Sequence, residues 1–159
     1  MRVIVEVINS QRKFKVSIKK LKQSTKKIFQ FLYDDKNKNL LKIMEKNSTS
    51  LIISIIVVGS RKMRELNFQY RGKNSTTDVL SFPYLDKEPS GSLFLGEIII
   101  DPEKVSSQAN QYGLQFSHEL DRILVHGILH LIGYDHERSA CEARRMRKIE
   151  EKILTHLQS

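Results

Sequence analysis

The sequence predicts a protein of the α+β or mixed α/β class. It should have a small mixed sheet of about four strands with helices packed on it, and a metal site on a C-terminal helix and the loop that follows. Short runs rich in β-branched residues, at 2–8, 51–58 and 93–100, alternate with longer stretches whose apolar residues recur every three or four positions. Helix starts are written in side-chain chemistry at Asp101-Pro102 and at Ser139. The stretch "VHGILHLIGYDHE" (125–137) carries the metal site, with three of the chain's five histidines in it.

"MRVIVEVINS" reads as a first strand over 2–8; Glu6 breaks its apolar run, which is too short for the core of a secretory signal. A helix over about 15–33 follows, with Ile18, Leu21, Thr25, Ile28 and Leu32 on one core-facing side. "DDKNKN" is a polar connection, and 38–46 a short helix. The strand at 51–58 gives way at Gly59-Ser60 to a helix through about Tyr70. "RGKNSTTD" (71–78) is a polar loop, and "VLSFP" (79–83) is a short strand confined to a sheet edge by Pro83, which cannot donate to a ladder. "DKEPSGS" (86–92) is a turn-rich excursion before the strand at 93–100. Asp101 then serves as N-cap and Pro102 as first helical residue. The helix opening at Phe116-Ser117 carries the first two histidines of the motif. Ser139 with Glu142 forms a capping box for a last helix over about 140–157. With no repeat, low-complexity tract or linker, residues 1–159 read as one domain, long enough to bury a core without staples.

Cys141 is the only cysteine, which excludes an internal disulfide and suits a reducing compartment. The longest apolar stretch, 51–59, falls far short of the roughly 18 residues of a membrane span. The expectation is a soluble, cytoplasmic protein with no membrane partner. Charge is unevenly placed. Residues 1–50 contain 13 Lys+Arg and 4 Asp+Glu, whereas residues 51–159 contain 14 of each, so the whole net charge of +9 lies on the first third. Lys19, Lys20, Lys22, Lys26 and Lys27 crowd the polar side of the first helix. They read either as a solvated face or as a sequence-independent footprint for the phosphates of a nucleic acid.

His126 and His130 are four apart on a helix, so both project from one face and can share one tetrahedral ion. Gly133 can take the left-handed conformation that ends the helix and reverses the chain, bringing back His136 as a third ligand. This is the ligand spacing of the metzincin zinc proteases, without their chemistry: the general-base glutamate is replaced by Gly127. A glycine inside a helix costs about 1 kcal/mol against alanine, which is accounted for if it makes room beside the metal. Three neutral ligands leave a fourth position open and the site at the full charge of the ion, favouring an anionic phosphodiester over a peptide.

The segment "HGILHLIGYDH" (126–136) resembles the H-G-x-L-H-L-x-G-Y-D-H signature of the YbeY endoribonucleases. "ELNFQYRGKNSTTDVLSFP" (65–83) is similar to the family's L-N-x-x-Y-R-x-K-D-x-x-T-D-V-L-S-F-P block, and "FLGEIII" (94–100) to its L-G-D/E-I-x-I strand. The match runs over about residues 51–150 in order; before residue 51 only the strand–helix layout is recognisable. The resemblance implies a single-strand-specific endoribonuclease that uses one Zn2+ per chain. It further implies a role in 16S rRNA 3′-end maturation and ribosome quality control, with precursor 16S rRNA and the small ribosomal subunit as partners. It implies His126, His130 and His136 as the zinc ligands and Arg71 as the catalytically important arginine. The family's usual aspartate after Arg-Gly-Lys is Asn74 here, which puts in doubt any role for a carboxylate there.

Arg71 is then the group that grips the scissile phosphate, with Lys73 as a second substrate contact. Lys19, Lys22, Lys26 and Lys27 are the candidate RNA-binding lysines. Asp135 either orients a ligand or caps the turn, and Thr77 and Asp78 either line the cleft or form a local turn. His118 and His156 are expected at the surface, Cys141 as a small buried apolar residue, and "RRMRK" (144–148), offset by Glu142, Glu150 and Glu151, as a solvated helix face. Two other readings compete: a metzincin-like peptidase, against which Gly127 speaks, and a ribosome-associated factor whose zinc is structural.

Overall fold

A computed structural model describes residues 1–45 and 50–159. Strand β1 (Arg2–Asn9) leads into helix α1 (Ile18–Asp34) and the short α2 (Lys38–Glu45). Strand β2 (Ser50–Val57) is followed by α3 (Ser60–Arg71), β3 (Val79–Lys87) and β4 (Leu93–Ile100). Helices α4 (Pro102–Gln111), α5 (Phe116–Leu131) and α6 (Ala140–Gln158) complete the chain. The four strands form one mixed sheet in the order β1-β2-β4-β3. β1 with β2 and β2 with β4 are parallel, and β3 runs antiparallel to β4 at the edge. The expected fold class and strand count are thus met.

Alternation along the strands sorts the core into two layers. Ile53, Ile55 and Val57 of β2 and Ile98 and Ile100 of β4 face the main core, together with Leu21 and Phe29 of α1, Leu124 and Ile128 of α5, and Met146 and Ile153 of α6. The intervening residues, Ile56 and Ile99, face the other way and pack with Met63 and Leu66 of α3 and with Leu80. The sheet therefore lies between α3 on one face and α1, α5 and α6 on the other.

Two of these expectations need correction. Ile18 is exposed, because it opens the first turn beside the N-cap Ser17, while Leu21, Thr25, Ile28 and Leu32 are buried as expected. β3 continues to Lys87 instead of stopping at Pro83; Pro83 does sit on an edge, opposite Gly96, and the register breaks between Pro83 and Asp86. The short helix is described over Lys38–Glu45, and position 46 of its expected range lies outside the described residues.

Asp101 shows how side-chain chemistry positions the functional loop. Fully buried, it caps α4 by accepting from the Glu103 and Lys104 amides through Oδ1. Its Oδ2 accepts from the hydroxyls of Ser60, at the start of α3, and Thr76, each at 2.7 Å. The Asp101 amide donates to the Asp78 carbonyl at 3.0 Å. One carboxylate thereby ties the loop between α3 and β3 to the end of β4.

Candidate metal centre and its cavity

Helix α5 buries Ile123, Leu124, Ile128 and Leu129 and turns His126 and His130 away from that core, each half-buried. Gly127 faces the sheet, not the histidine site. A Cβ there would meet Ile98 Cδ1 and Ser81 Oγ at 3.2 Å, so the glycine lets the helix lie close on β3 and β4. This overturns the expectation that it opens space at the metal. The helix ends at Gly133, whose φ of +103° lies in the region that favours glycine. The Gly133 amide donates to the His130 carbonyl and the Tyr134 amide to that of Leu129. The returning strand of the turn is held by buried Tyr134, whose hydroxyl accepts from Asn37 Nδ2 at 2.9 Å.

That reversal brings His136 back over the helix face. Its ring centroid lies 5.1 Å from that of His126 and 5.2 Å from that of His130. One nitrogen from each of the three rings falls within 4.8 Å of the others, a group that could hold a metal ion. The His126 and His130 Nε2 atoms are 3.1 Å apart. Two nitrogens bound at about 2.0–2.1 Å to one tetrahedral ion would stand roughly 3.3 Å apart, so the pair is nearly set for one. Burial, with the neighbouring His126 and His136 adding to it, holds the His130 pKa below its ordinary value, which favours the neutral imidazole that metal coordination requires.

Glu150, expected on a solvated face, reaches from α6 into this site: its Oε1 lies 2.9 Å from His126 Nδ1. A carboxylate there keeps the proton on Nδ1 and leaves the Nε2 lone pair free for a metal. The signal was present in the sequence. Glu150 stands four positions after Met146 and three before Ile153, both buried, so it lies on the apolar stripe of α6. Glu119 is a second carboxylate of this kind, fully buried four positions before Ile123 on α5 and paired with Arg122. Sequence reasoning passed over both, and over Arg122.

The histidines open into a cavity of about 580 Å³ that Arg71, Thr77, Asp78 and Arg122 also line. Arg71 is the last residue of α3. Gly72, with a φ of +69°, ends the helix there and donates its amide to the Phe68 carbonyl, leaving the arginine exposed at the rim. Lys73 is exposed and does not line the cavity. Asn74 accepts from Arg64 Nε at 2.8 Å and so is tied back to α3. Asp78 accepts from the Val79 amide and Asp135 from the Glu137 amide, so both fix local turns while bordering the cavity.

Lys19, Lys22, Lys26 and Lys27 are all exposed on α1. That helix packs against β1 and α6, whereas α5 packs against β3, at the opposite edge of the sheet. None of these lysines lines the histidine cavity; Lys27 borders a separate groove between α1 and α5, with Ser24, Leu120 and Asp121. His156 is exposed against Phe31, and His118 is partly covered by Gln158. Cys141, expected to be buried, is exposed: it lies in the first turn of α6, before the apolar stripe begins at Met146. Among the described residues, no helix is long and apolar enough to cross a membrane.

The fold and site define a class: small mixed α/β proteins that present three histidines from a helix and its returning loop to an open, arginine-lined cavity. Within that class the chain belongs to the YbeY endoribonuclease family, whose sequence pattern, described as Endoribonuclease YbeY, matches residues 6–158. It is 64% identical over 157 residues to the Endoribonuclease YbeY of Thermodesulfovibrio yellowstonii, covering 99% of both chains. It is 35% identical over 153 residues to that of Petrotoga mobilis, covering 96% of this chain and 94% of the relative. A solution structure of a Thermotoga maritima protein, 26% identical, matches with a TM-score of 0.54 over 98% of this chain and 92% of that one.

Proposed function

We propose that this chain is a zinc-dependent endoribonuclease that cuts single-stranded RNA, with one Zn2+ held by His126, His130 and His136. The supporting observation is geometric: three imidazole nitrogens lie within 4.8 Å of one another in a cavity whose rim also carries Arg71. Family membership supports the endoribonuclease role. A zinc ion bound there would act as a Lewis acid on a phosphodiester and lower the pKa of a bound water. The protein's own groups supply the rest. Glu150 holds the His126 ring in place, and Arg71 grips the scissile phosphate through two parallel hydrogen bonds and stabilises its developing charge. Lys73 is a weaker substrate contact, set back from the cavity. We assign the substrate as the 3′ end of precursor 16S rRNA on the small ribosomal subunit, in the cytoplasm, with the lysines of α1 as an additional phosphate footprint.

The test compares metal-loaded protein, chelated protein and an Arg71→Ala variant on single- and double-stranded RNA, with zinc content measured in parallel. Chelation should abolish cleavage and zinc should restore it. Arg71→Ala should lower the rate on single strands roughly a hundred- to a thousand-fold, with zinc retained. Arg71→Lys keeps the charge but loses the planar fork, so it should fall between. A wild-type rate in zinc-loaded Arg71→Ala refutes the phosphate clamp.

A further inference from the structure

Arg122 stands one turn before His126 on α5 and lines the same cavity as Arg71 and the histidines. Its guanidinium is anchored from behind. Nε donates to Glu119 Oε1 at 3.0 Å and to Oε2 at 3.2 Å, and Nη2 donates to Oε1 as well. Glu119 is fully buried, whereas 43% of the Arg122 side chain is exposed. A guanidinium has five N–H donors in a rigid fork. The side formed by Nε and Nη2 is occupied by Glu119, which leaves the end formed by Nη1 and the second Nη2 hydrogen for another anion. The Glu119 hydrogen bonds raise the Arg122 pKa further, so the group stays charged at any working pH. Asp78 and Glu150 are its other charged neighbours, and Glu150 is engaged by His126.

Neutralising Glu119 explains why an arginine stands here; it does not explain why the guanidinium reaches the cavity with one end that has no hydrogen-bond partner among the described residues. Arg71 and Arg122 reach this cavity from different elements, one at the end of α3 and one on α5. At about 580 Å³ the space is on the scale of a drug-sized ligand rather than one phosphate group. We propose that Arg122, braced by Glu119, binds a phosphate of the RNA strand next to the scissile one, extending the site by one nucleotide. This rests on the endoribonuclease reading above. A buried carboxylate that fixes the rotamer beforehand reduces the ordering cost of the contact.

The experiment measures affinity for 2′-O-methyl oligonucleotides, verified to be intact after incubation, from a dinucleotide with one phosphate to a hexamer, at several salt concentrations. Arg122→Gln leaves Glu119 buried without its cation, so the double variant Glu119→Gln/Arg122→Gln, which removes both charges, is measured beside it, with thermal unfolding and zinc content for each. The loss of affinity should grow from about twofold on the dinucleotide to roughly tenfold on the hexamer. The salt slope on the hexamer should fall by about 0.7, the value for one single-strand phosphate. Arg122→Lys should keep the slope while recovering only part of the affinity. Equal losses at every length, or none in a folded double variant, overturn the proposal. If wild-type protein binds none of the oligonucleotides, the endoribonuclease reading falls with it, whereas wild-type binding that is indifferent to Arg122 removes this inference alone.

Discussion

A histidine can coordinate through either ring nitrogen, and its second nitrogen decides which one is offered. His126 has that question answered by Glu150 at 2.9 Å, whereas His136 is exposed and sits on a turn. The three candidate ligands are therefore not equally well prepared. Removing such an orienting carboxylate costs about 10–100-fold in metal affinity in comparable sites. Glu150→Gln should accordingly weaken zinc binding by that factor, measured by competition with a chromogenic chelator. Excess zinc should bring cleavage back most of the way. If affinity is unchanged, the contact is incidental. The histidines themselves were legible from the sequence because i, i+4 spacing and a turn glycine are local rules. Glu150's place on the buried stripe of α6 was legible too, but its partner was not, because His126 is 24 positions away and only the packing of α6 against α5 brings them together.

Among elements, the position of α5 against the sheet sets where the histidines point. Gly127 allows that position, and two effects compete when it is replaced. Alanine would gain about 1 kcal/mol in helix propensity. Its Cβ would stand 3.2 Å from Ile98 Cδ1, in a fully buried side chain that would have to shift by a few tenths of an ångström, and overpacking of this kind typically costs about 1–3 kcal/mol. The packing term is the larger, so Gly127→Ala should destabilise the protein by about 1 kcal/mol in urea unfolding; a stabilised variant would show that Ile98 can yield. Gly127→Glu, which restores the carboxylate of the zinc proteases, should be worse, since its stem must pass between Ile98 and Ser81, and it should gain no peptidase activity. The element order and most helix starts were readable because caps such as Asp101 and Ser139 act on their own neighbours. The extension of β3 past Pro83 was not readable. It depends on β4 lying alongside, and an edge strand can resume its ladder after an irregularity that sequence alone reads as a stop.

At the scale of the whole molecule, charge and chemistry are separated. The net charge of +9 resides in residues 1–50, yet the histidine cavity is built from residues 71–138, which include many acids. Asp78, Asp135 and Glu137 all border it. The lysines of α1 lie outside that cavity, and Lys27 borders a separate groove between α1 and α5. A long RNA can bridge both regions, whereas a short one can occupy only the cavity. Replacing Lys19, Lys22, Lys26 and Lys27 with glutamine should therefore weaken binding of a long single strand. The slope of log affinity against log salt should flatten by up to about 0.7 for each phosphate that is no longer neutralised. Cleavage of a hexamer should change little, because none of these four side chains belongs to the histidine cavity. All four are exposed and outside the buried side of α1, so the variant should fold normally, which circular dichroism checks. An unchanged slope on the long strand would mean that the lysines only solvate their helix, and that the cavity alone selects RNA.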